Sequence, residues 1–319
     1  MKLYPLKFAP ILKERIWGGT KLKTYLNKPI SSDITGESWE ISSVPNDISV
    51  VNNGFLKGKN VNQLIELYSN EFLGSEVLSR FGTEFPLLFK FIDAKQDLSI
   101  QVHPNDELAK KRHNSFGKAE MWYVMQADEN ARLIVGFKEN SNPDEYKKAL
   151  ENKKLVAILN EVEVKAGDVF FLETGTIHAI GAGIVIAEIQ QTSDITYRVY
   201  DFDRVDATGN QRELHTELAL DALNYNTTKT HVAYDFKINT SNKVVHCDYF
   251  KTNIIPLVDV YHWKKTKEAF TVLMCTQGEF ELEYNNNISK YKMGDTVLFP
   301  AILDEVMLKG NATLLEISI

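Results

Sequence analysis

The segment KAGDVFFL, residues 165–172, recurs without gaps as KMGDTVLF, residues 292–299. In both copies a Gly-Asp pair precedes a run of mostly apolar residues, which is typical of a hairpin turn that opens a strand of a small β-barrel. The repeat therefore predicts two related β-barrels. When the alignment is continued, Glu305 falls where the first copy has His178, so the second copy lacks this histidine.

The chain before residue 230 has mainly strand character, with β-branched and aromatic runs separated by Gly, Pro, Asn or Asp. Strands are predicted over 85–94, 98–104, 119–126, 131–137, 167–173 and 183–191. Periodic apolar residues predict helices over 60–82, 143–160 and 213–225. The polar run NTTKT that follows the last helix indicates a boundary between a first domain, 1–229, and a second domain, 230–319.

The bulk composition limits the class of protein. A chain of 319 residues with 44% hydrophobic content suits two domains of ordinary size. No apolar run approaches the roughly 20 residues that span a bilayer. The N-terminus lacks the unbroken apolar stretch of a signal peptide, so we expect a cytoplasmic protein without a membrane partner. A net charge of -7 disfavours nucleic acid as a partner, and Cys247 and Cys275 are expected to be free thiols.

The segment LSIQVHP, residues 98–104, carries the first candidate functional residues. Strand alternation places Ser99, Gln101 and His103 on one face and the apolar residues on the other. A row of polar side chains in an otherwise apolar strand is what a polar pocket inside a barrel requires. A glutamine and a histidine two residues apart can both reach one metal ion.

Two further residues complete a candidate metal site. Glu120 shares a strand face with Lys118 and Trp122, and His178 follows the Gly-Asp strand of the first repeat. Each of these residues alone also fits a structural role, so the prediction depends on their conjunction. An N₂O₂ set of ligands suits Zn²⁺, with Mn²⁺, Co²⁺ or Fe²⁺ as alternatives; its members are Gln101, His103, Glu120 and His178.

Two cationic residues stand in β-rich runs. Thr196, Arg198 and Tyr200 share one face of the segment 190–204, and an arginine that points into a pocket needs an anion there. Lys90 lies within the apolar run PLLFKFI. A buried lysine needs a partner, and the sequence leaves open whether that partner is an internal carboxylate or a bound phosphate.

These motifs together resemble the type I mannose-6-phosphate isomerases in their short bacterial form, and the resemblance covers the whole chain. The segments that carry it are GESWEIS (36–42), FPLLFKFIDA (85–94) with LSIQVHPND (98–106), GKAEMWYV (117–124), GDVFFLETGTIHAIGAG (167–183) and EIQQTSDITYRVYDFDR (188–204). The resemblance implies a mainly β fold of two cupin-like (jelly-roll) barrels with helical insertions, of which only the first binds metal.

Carried over by position, the resemblance assigns a role to each candidate. It implies one Zn²⁺ per chain, held by Gln101, His103, Glu120 and His178. It implies catalytic roles for Arg198, for Glu188 as the proton-transferring base and for Lys118 as the alternative base. It implies substrate or phosphate contacts for Ser99, Lys90 and Arg204.

The chain departs from the family pattern at two places. Glu173-Thr174-Gly175 stands where Pro-Ala-Gly is usual, which keeps the turn before His178 but adds a carboxylate that we expect near the metal. Gly117 stands where many longer members have a histidine, so a base at that position cannot act here.

The sequence therefore predicts a metal-dependent isomerase that interconverts mannose 6-phosphate and fructose 6-phosphate through a cis-enediol. The expected partner is a small-molecule sugar phosphate, and the oligomeric state is open between monomer and homodimer. A non-catalytic or regulatory sugar-phosphate-binding cupin is the main alternative. A cupin oxygenase with Fe²⁺ is disfavoured by Gln101 as an additional ligand and by the cationic pair Lys90 and Arg198.

Overall fold

The computed structural model describes residues 2–205 and 209–319. In chain order, the strands are β1 (Ile11–Gly19), β2 (Thr35–Ile41), β3 (Leu87–Ala94), β4 (Ile100–Val102), β5 (Glu120–Ala127), β6 (Arg132–Phe137), β7 (Leu159–Glu163), β8 (Val169–Leu172), β9 (His178–Ile180), β10 (Ile184–Gln191), β11 (Tyr197–Tyr200), β12 (His231–Val232), β13 (Asn242–His246), β14 (Lys251–Lys264), β15 (Thr271–Tyr284), β16 (Asn287–Lys292), β17 (Thr296–Phe299) and β18 (Glu305–Ser318). The helices are α1 (Lys21–Thr24), α2 (Val61–Leu73), α3 (Ser75–Phe81), α4 (Asp106–His113), α5 (Pro143–Glu151), α6 (Leu155–Ile158) and α7 (Thr216–Leu220).

The strands form three sheets. The first sheet has the order β1-β2-β3-β10-β5-β8-β12, and the second has the order β11-β4-β9-β6-β7. The third sheet, formed after residue 240, has the order β13-β14-β18-β15-β16, with β17 paired to β15. The prediction of a mainly β protein is confirmed. No helix in the described part of the chain combines the length and the apolarity needed to cross a bilayer.

The first and second sheets pack face to face. Their shared apolar cluster contains Ile92 and Trp122 from the first sheet and Leu133 and Ile180 from the second. Leu98, which alternation assigned to the opposite face with Ile100 and Val102, also packs in this cluster because β4 begins only at Ile100. The space between the two sheets is therefore closed by apolar side chains beside the polar residues described below.

The outer face of the first sheet is covered by the third sheet and by helices. One cluster joins Phe89 and Met121 of the first sheet with Phe270 and Leu315 of the third and with Phe72 of α2. A separate apolar cluster lies wholly within the region of the third sheet and includes Trp263, Phe280 and Phe299. The two parts of the chain thus share one core while the third sheet also has its own.

The predicted helices form in part. The segment 60–82 contains α2 and α3, which are separated at Gly74 because its backbone adopts φ +94°. The helix predicted over 143–160 ends at Glu151, since Lys153 has φ +54°, and the chain continues as α6 and β7.

The third predicted helix, 213–225, is reduced to α7, because the His215 N–H donates to the Arg198 carbonyl alongside β11. Helix α4 was not predicted, since its sequence DELAKKRH has no apolar period.

Candidate metal centre and active site

A cavity of about 480 Å³ opens between the first and second sheets. Its walls combine aromatic and apolar side chains with many charged ones. The polar residues that line it are Glu14, Arg15, Glu37, Lys90, Ser99, Gln101, Lys118, Glu188, Asp194, Thr196, Arg198 and Arg212. The predicted segments 98–104, 117–124 and 188–204 therefore meet at one cavity.

Three predicted ligands converge next to Gln101 and Lys118, two residues that line this cavity. His103 follows β4, Glu120 begins β5 and His178 begins β9, and their ligand atoms lie within 4.8 Å of one another. All three side chains are buried. Gln101 is opposite His178 in the β4–β9 pair, and its amide nitrogen lies 3.3 Å from His178 Nε2. An amide flip places the Gln101 oxygen there instead, so the fourth predicted ligand also reaches the group.

Both histidines present a lone pair to the centre. Nδ1 of His103 lies 2.9 Å from the Ile195 carbonyl, and Nδ1 of His178 lies 2.8 Å from the Thr176 carbonyl, so each Nδ1–H donates to the backbone. The Nε2 atoms face Glu120 at 3.6 Å and 3.3 Å. A backbone carbonyl that accepts from Nδ1–H holds a metal-binding imidazole in the tautomer whose Nε2 can bind the ion.

The electrostatics of this group fit a bound cation. Burial lowers the pKa of His178 to about 4 and that of His103 well below its usual value, so both rings are neutral at pH 7. Burial also raises the pKa of the Glu120 carboxyl, although Lys118 opposes this effect. Neither oxygen of Glu120 accepts a hydrogen bond of good geometry among the described residues. Two imidazole nitrogens and a carboxylate facing one point are the donor set of a divalent metal ion. Lys118 Nζ borders this point, at 3.1 Å from both His103 Nε2 and Glu120 Oε2.

A chain of alternating charges leads from this centre along the cavity wall. Lys118 Nζ lies 3.1 Å from Glu120 Oε2, and Lys90 Nζ lies 2.9 Å from Glu188 Oε1. Glu188 Oε2 accepts a hydrogen bond from Trp122 Nε1 at 2.9 Å. Burial alone raises the pKa of Glu188, but Lys90 and Lys118 outweigh it and hold that pKa well below its usual range. Lys90 therefore has the internal carboxylate partner that the sequence left open, and it also lines the cavity.

Arg198 brings a second cationic group to the cavity. Its Nη1 donates to the Glu213 carbonyl at 2.9 Å, whereas its buried Nε has no hydrogen-bond partner among the described residues. Burial, and then the charge of Arg212, lowers the pKa of Arg198. An arginine held in this way is available to an anion in the cavity.

Of the other candidate residues in the segment 190–204, only some lie where the sequence predicted. Thr196 lines the cavity as expected, but Tyr200 packs against Phe202 because the β11 register shifts after Arg198. Arg204 does not line the cavity; its guanidinium donates to Asp201 and to the Asp97 carbonyl. Its predicted phosphate contact therefore gains no support from its position.

Glu37, Trp39 and Arg212 are among the cavity residues to which the sequence assigned no role. Glu37 pairs with Arg15 at 2.9 Å and accepts from Trp39 Nε1 at 2.8 Å. Trp39 also lies beneath the Lys90 ammonium. The segment GESWEIS contained the only signal for Glu37 and Trp39, and Arg212 lies in a segment that gave none.

The turn before His178 is retained despite the departure from the family pattern. Gly175 adopts φ +86°, and its N–H donates to the His103 carbonyl at 2.9 Å, which ties two predicted ligands together. The Glu173 carboxylate is exposed and borders a different cavity, so our expectation of an extra carboxylate near the metal was wrong. The side chain leaves the site because it precedes the turn that directs His178 inward.

Comparison with known proteins identifies the family. The model for "Phosphomannose isomerase type I, catalytic domain" matches residues 5–161, and that for "Mannose-6-phosphate isomerase, cupin domain" matches residues 240–319. The chain is 37% identical to mannose-6-phosphate isomerase ManA of Bacillus subtilis, with 98% of each chain covered. It is 42% identical to the mannose-6-phosphate isomerase of Streptococcus mutans, over 69% of this chain and 67% of that one. A crystal structure of the Bacillus subtilis mannose 6-phosphate isomerase superposes with a TM-score of 0.91 at 33% identity, covering 99% of this chain and 100% of that one. The fold is thus mainly β and cupin-type, and the chain belongs to the type I phosphomannose isomerase family.

Proposed function

We propose that this chain is a metal-dependent aldose–ketose isomerase that interconverts mannose 6-phosphate and fructose 6-phosphate through a cis-enediol. The observation that carries the proposal is the buried group His103, Glu120 and His178. This group contacts Gln101 and Lys118, which line the same cavity as Lys90 and Arg198. A metal centre beside anion-binding side chains suits a substrate that carries a phosphate and must enolise. The activity named for the relatives supports the same reaction.

We propose Zn²⁺ as the metal, one per chain. Two imidazole nitrogens, a carboxylate and the amide oxygen of Gln101 suit Zn²⁺, with Mn²⁺, Co²⁺ or Fe²⁺ as alternatives. When bound, the cation supplies Lewis-acid stabilisation for the negative charge that develops on the O1 and O2 atoms of the sugar. The remaining work of binding, orientation and proton transfer falls to the side chains of the cavity.

We propose Glu188 as the base that moves the proton between C1 and C2. Its carboxylate is kept ionised by Lys90 and oriented by Trp122, as a proton acceptor requires. Lys118 is the alternative. Burial alone lowers the pKa of Lys118, but Glu120 and Glu188 outweigh it and raise the pKa above its usual value, so Lys118 gives up its proton less readily.

We propose that Ser99, Lys90 and Arg198 bind the substrate, since all three line the cavity. Binding energy at the phosphate would orient the reacting carbons at the far end of the molecule. Arg204 supports Asp201 rather than the cavity, and Arg212 is the arginine that lines the cavity beside Arg198.

We also propose that the metal centre belongs to the first of two cupin-like barrels, with the domains divided as 1–229 and 230–319. The apolar cluster around Trp263 supports a second barrel, and the apolar character of that cluster supports a metal-free one. The cytoplasmic location and the oligomeric state stay predictions.

A coupled assay that follows fructose 6-phosphate tests the function. The purified protein should convert mannose 6-phosphate, lose activity after treatment with a chelator and regain it when one equivalent of Zn²⁺ is returned. A non-catalytic sugar-phosphate-binding cupin would bind mannose 6-phosphate without turnover in every state of metal loading.

The base is tested by Glu188→Gln. This variant should keep its metal and lose exchange of the C2 proton with D₂O. Glu316→Gln is the matched control, since Glu316 is also buried and accepts from a tryptophan, Trp263, but lies in the third sheet. Near-normal turnover by Glu188→Gln would assign the proton transfer to Lys118 instead.

A further inference from the structure

The backbone just before Glu120 is held by an unusual set of hydrogen bonds. Three consecutive N–H groups each have a defined acceptor: Gly117 donates to Asp106 Oδ1 at 2.7 Å, Lys118 to the Pro104 carbonyl at 3.3 Å and Ala119 to Gln191 Oε1 at 2.9 Å. Two of these acceptors are the side chains of Asp106 and Gln191, which form no hydrogen bond to a candidate metal ligand among the described residues. The segment is thus fixed before β5 begins.

Asp106 and Gln191 also bind each other. Gln191 Nε2 donates to Asp106 Oδ1 at 2.9 Å, so one carboxylate oxygen accepts from both Gly117 and Gln191. Gln191 is buried, and its backbone N–H donates to the Ala119 carbonyl. Removal of the Asp106 carboxylate would leave two donors without their acceptor beside the metal-binding segment.

Asp106 is itself fixed from two sides. It begins helix α4, whose N-cap Asn105 accepts from the Leu108 N–H at 2.9 Å. Tyr249, in the turn between β13 and β14, lies against the Asp106 carboxylate, and its pKa is raised to about 12 by burial first and by Asp106 second. The third-sheet region therefore contacts the residue that holds the segment 117–119.

The contact between α4 and the segment is close. A Cβ atom added at Gly117 would lie 2.7 Å from the Asp106 backbone nitrogen and 2.8 Å from the Asn105 carbonyl carbon. Backbone atoms cannot yield to such a contact as a flexible side chain would. Gly117 therefore allows Asp106 to approach the strand that carries Lys118 and Glu120.

We propose that Asp106 is a positioning residue of the metal centre, acting through Gln191 and the N–H of Gly117. By fixing residues 117 and 119, it sets the direction in which the side chains of Lys118 and Glu120 leave the backbone. The affinity for the cation then depends on a residue that never contacts it. This inference rests on the proposed function only in requiring that His103, Glu120 and His178 bind a divalent cation.

The test is a titration of the metal-free full-length protein with Co²⁺, followed by visible absorption, which reports both affinity and coordination geometry. Asp106→Ala should raise the dissociation constant by about tenfold and change the spectrum, because the segment that carries Glu120 loses its fixed position; this is the lower end of the loss seen when a group that orients a metal ligand is removed. Asp106→Asn keeps an oxygen in the same place and should stay within about threefold of wild type. Asp144→Ala is the matched control, because Asp144 is an exposed acidic residue in the first turn of α5, and it should leave both readouts unchanged.

A purely structural role would give a different pattern. If Asp106→Ala lowers the thermal midpoint but binds Co²⁺ with the wild-type constant and spectrum, the inference is overturned. The inference is also overturned if Asp106→Asn binds Co²⁺ as weakly as Asp106→Ala does. The negative charge of Asp106, rather than the position of its oxygen, would then determine the affinity.

Gly117→Ala keeps the inference testable if Asp106→Ala fails to fold. The added methyl group should push the segment away from α4 and weaken Co²⁺ binding, whereas wild-type binding by folded Gly117→Ala would contradict the inference. The isomerase assay is independent of these titrations. A wild-type protein that binds Co²⁺ but does not convert mannose 6-phosphate would contradict the proposed function. The Co²⁺ titrations would still decide the role of Asp106.

Discussion

The two copies of the Lys-x-Gly-Asp repeat form the same turn in two different settings. Gly167 and Gly294 adopt φ +93° and +92°. In each copy the aspartate accepts from the N–H of the lysine three residues earlier, at 2.9 Å for Asp168 and 3.0 Å for Asp295. A strand follows each turn, β8 in the first copy and β17 in the second. The turn is therefore a local device for starting a strand, independent of any chemistry nearby.

The two copies diverge a few residues later. His178 is buried beside Glu120, whereas Glu305 is more than half exposed and pairs with His262 at 3.2 Å. The space between the first and second sheets holds charged and imidazole groups, whereas the cluster of the third sheet is built from side chains such as Trp263 and Phe299. Catalytic capacity thus depends on which side chains line the interior and not on the repeated turn.

The largest effect is expected from His178→Ala, with Glu305→Ala as its counterpart in the repeat. Loss of one imidazole should release the metal and lower kcat/KM by about 10³-fold or more, since a bound cation contributes several kcal/mol of charge stabilisation. Metal analysis and the coupled assay measure both changes. Glu305→Ala should match wild type, and a reduced metal content in that variant would contradict the contrast between the two copies.

Lys90→Met should lower the free energy of unfolding by about 3 kcal/mol, because it leaves the buried Glu188 carboxylate without its partner. Lys309→Met removes the ion pair with Glu283 on the third sheet, which is solvent-exposed and should contribute little. Urea unfolding of both variants compares the two ion pairs. If both variants lose the same free energy of unfolding, burial does not determine how much each ion pair contributes to stability.

Asp201→Asn tests a pH dependence. Burial raises the pKa of Asp201, but hydrogen bonds from Arg212 and Arg204 outweigh it, and the pKa lies below its usual value. The carboxylate therefore stabilises the fold above its unfolded pKa of about 3.9, and this contribution is lost as the pH falls through the lower folded pKa. Thermal unfolding should show a deficit of about 2 kcal/mol at pH 7, as expected for hydrogen bonds to a charged group. The deficit should shrink below about pH 4; a constant deficit would assign the loss to packing.

The smallest effect is expected from a pair of tryptophans. Trp122 donates to Glu188 at 2.9 Å, and Trp263 donates to Glu316 at 2.5 Å. Replacement of either by Phe removes one hydrogen bond to a carboxylate and should cost about 1.5 kcal/mol of stability. Only Trp122→Phe should also lower kcat, by about tenfold, because the Glu188 carboxylate, the proposed base, loses the hydrogen bond that orients it. An equal kcat in both variants would argue against Glu188 in that role.

Local patterns accounted for six strands of the first two sheets (β3, β4, β5, β6, β8 and β10) and for most of the metal centre, but they missed β1 and β2 and predicted a helix where β7 forms. The alternation of Ile100, Gln101 and Val102 and the turn at Gly175 are properties of short segments, and both are present in the structure. The convergence of His103, Glu120 and His178 could be anticipated because the first two lie near the ends of predicted strands and the third follows a predicted turn. The resemblance to the family supplied the roles that spacing alone did not.

Long-range partners were not predictable from local patterns. Lys90 meets Glu188 because β3 and β10 pair in a register that sets these two residues opposite each other. Arg204 leaves the cavity because Phe202 and Asp203 both adopt positive φ values and turn the chain after β11. Register between distant strands and backbone conformation in loops depend on the whole fold, which residue spacing does not encode.

The apolar cluster that joins the first and third sheets has a consequence for how the molecule melts. Phe89, Met121, Phe270 and Leu315 pack in one core, although the polar run near residue 229 separates the two halves in sequence. A fragment truncated near residue 229 would expose one side of this core to water and should precipitate. The intact chain should accordingly give a single heat-capacity peak in calorimetry, so that the boundary visible in the sequence is no boundary for cooperative unfolding.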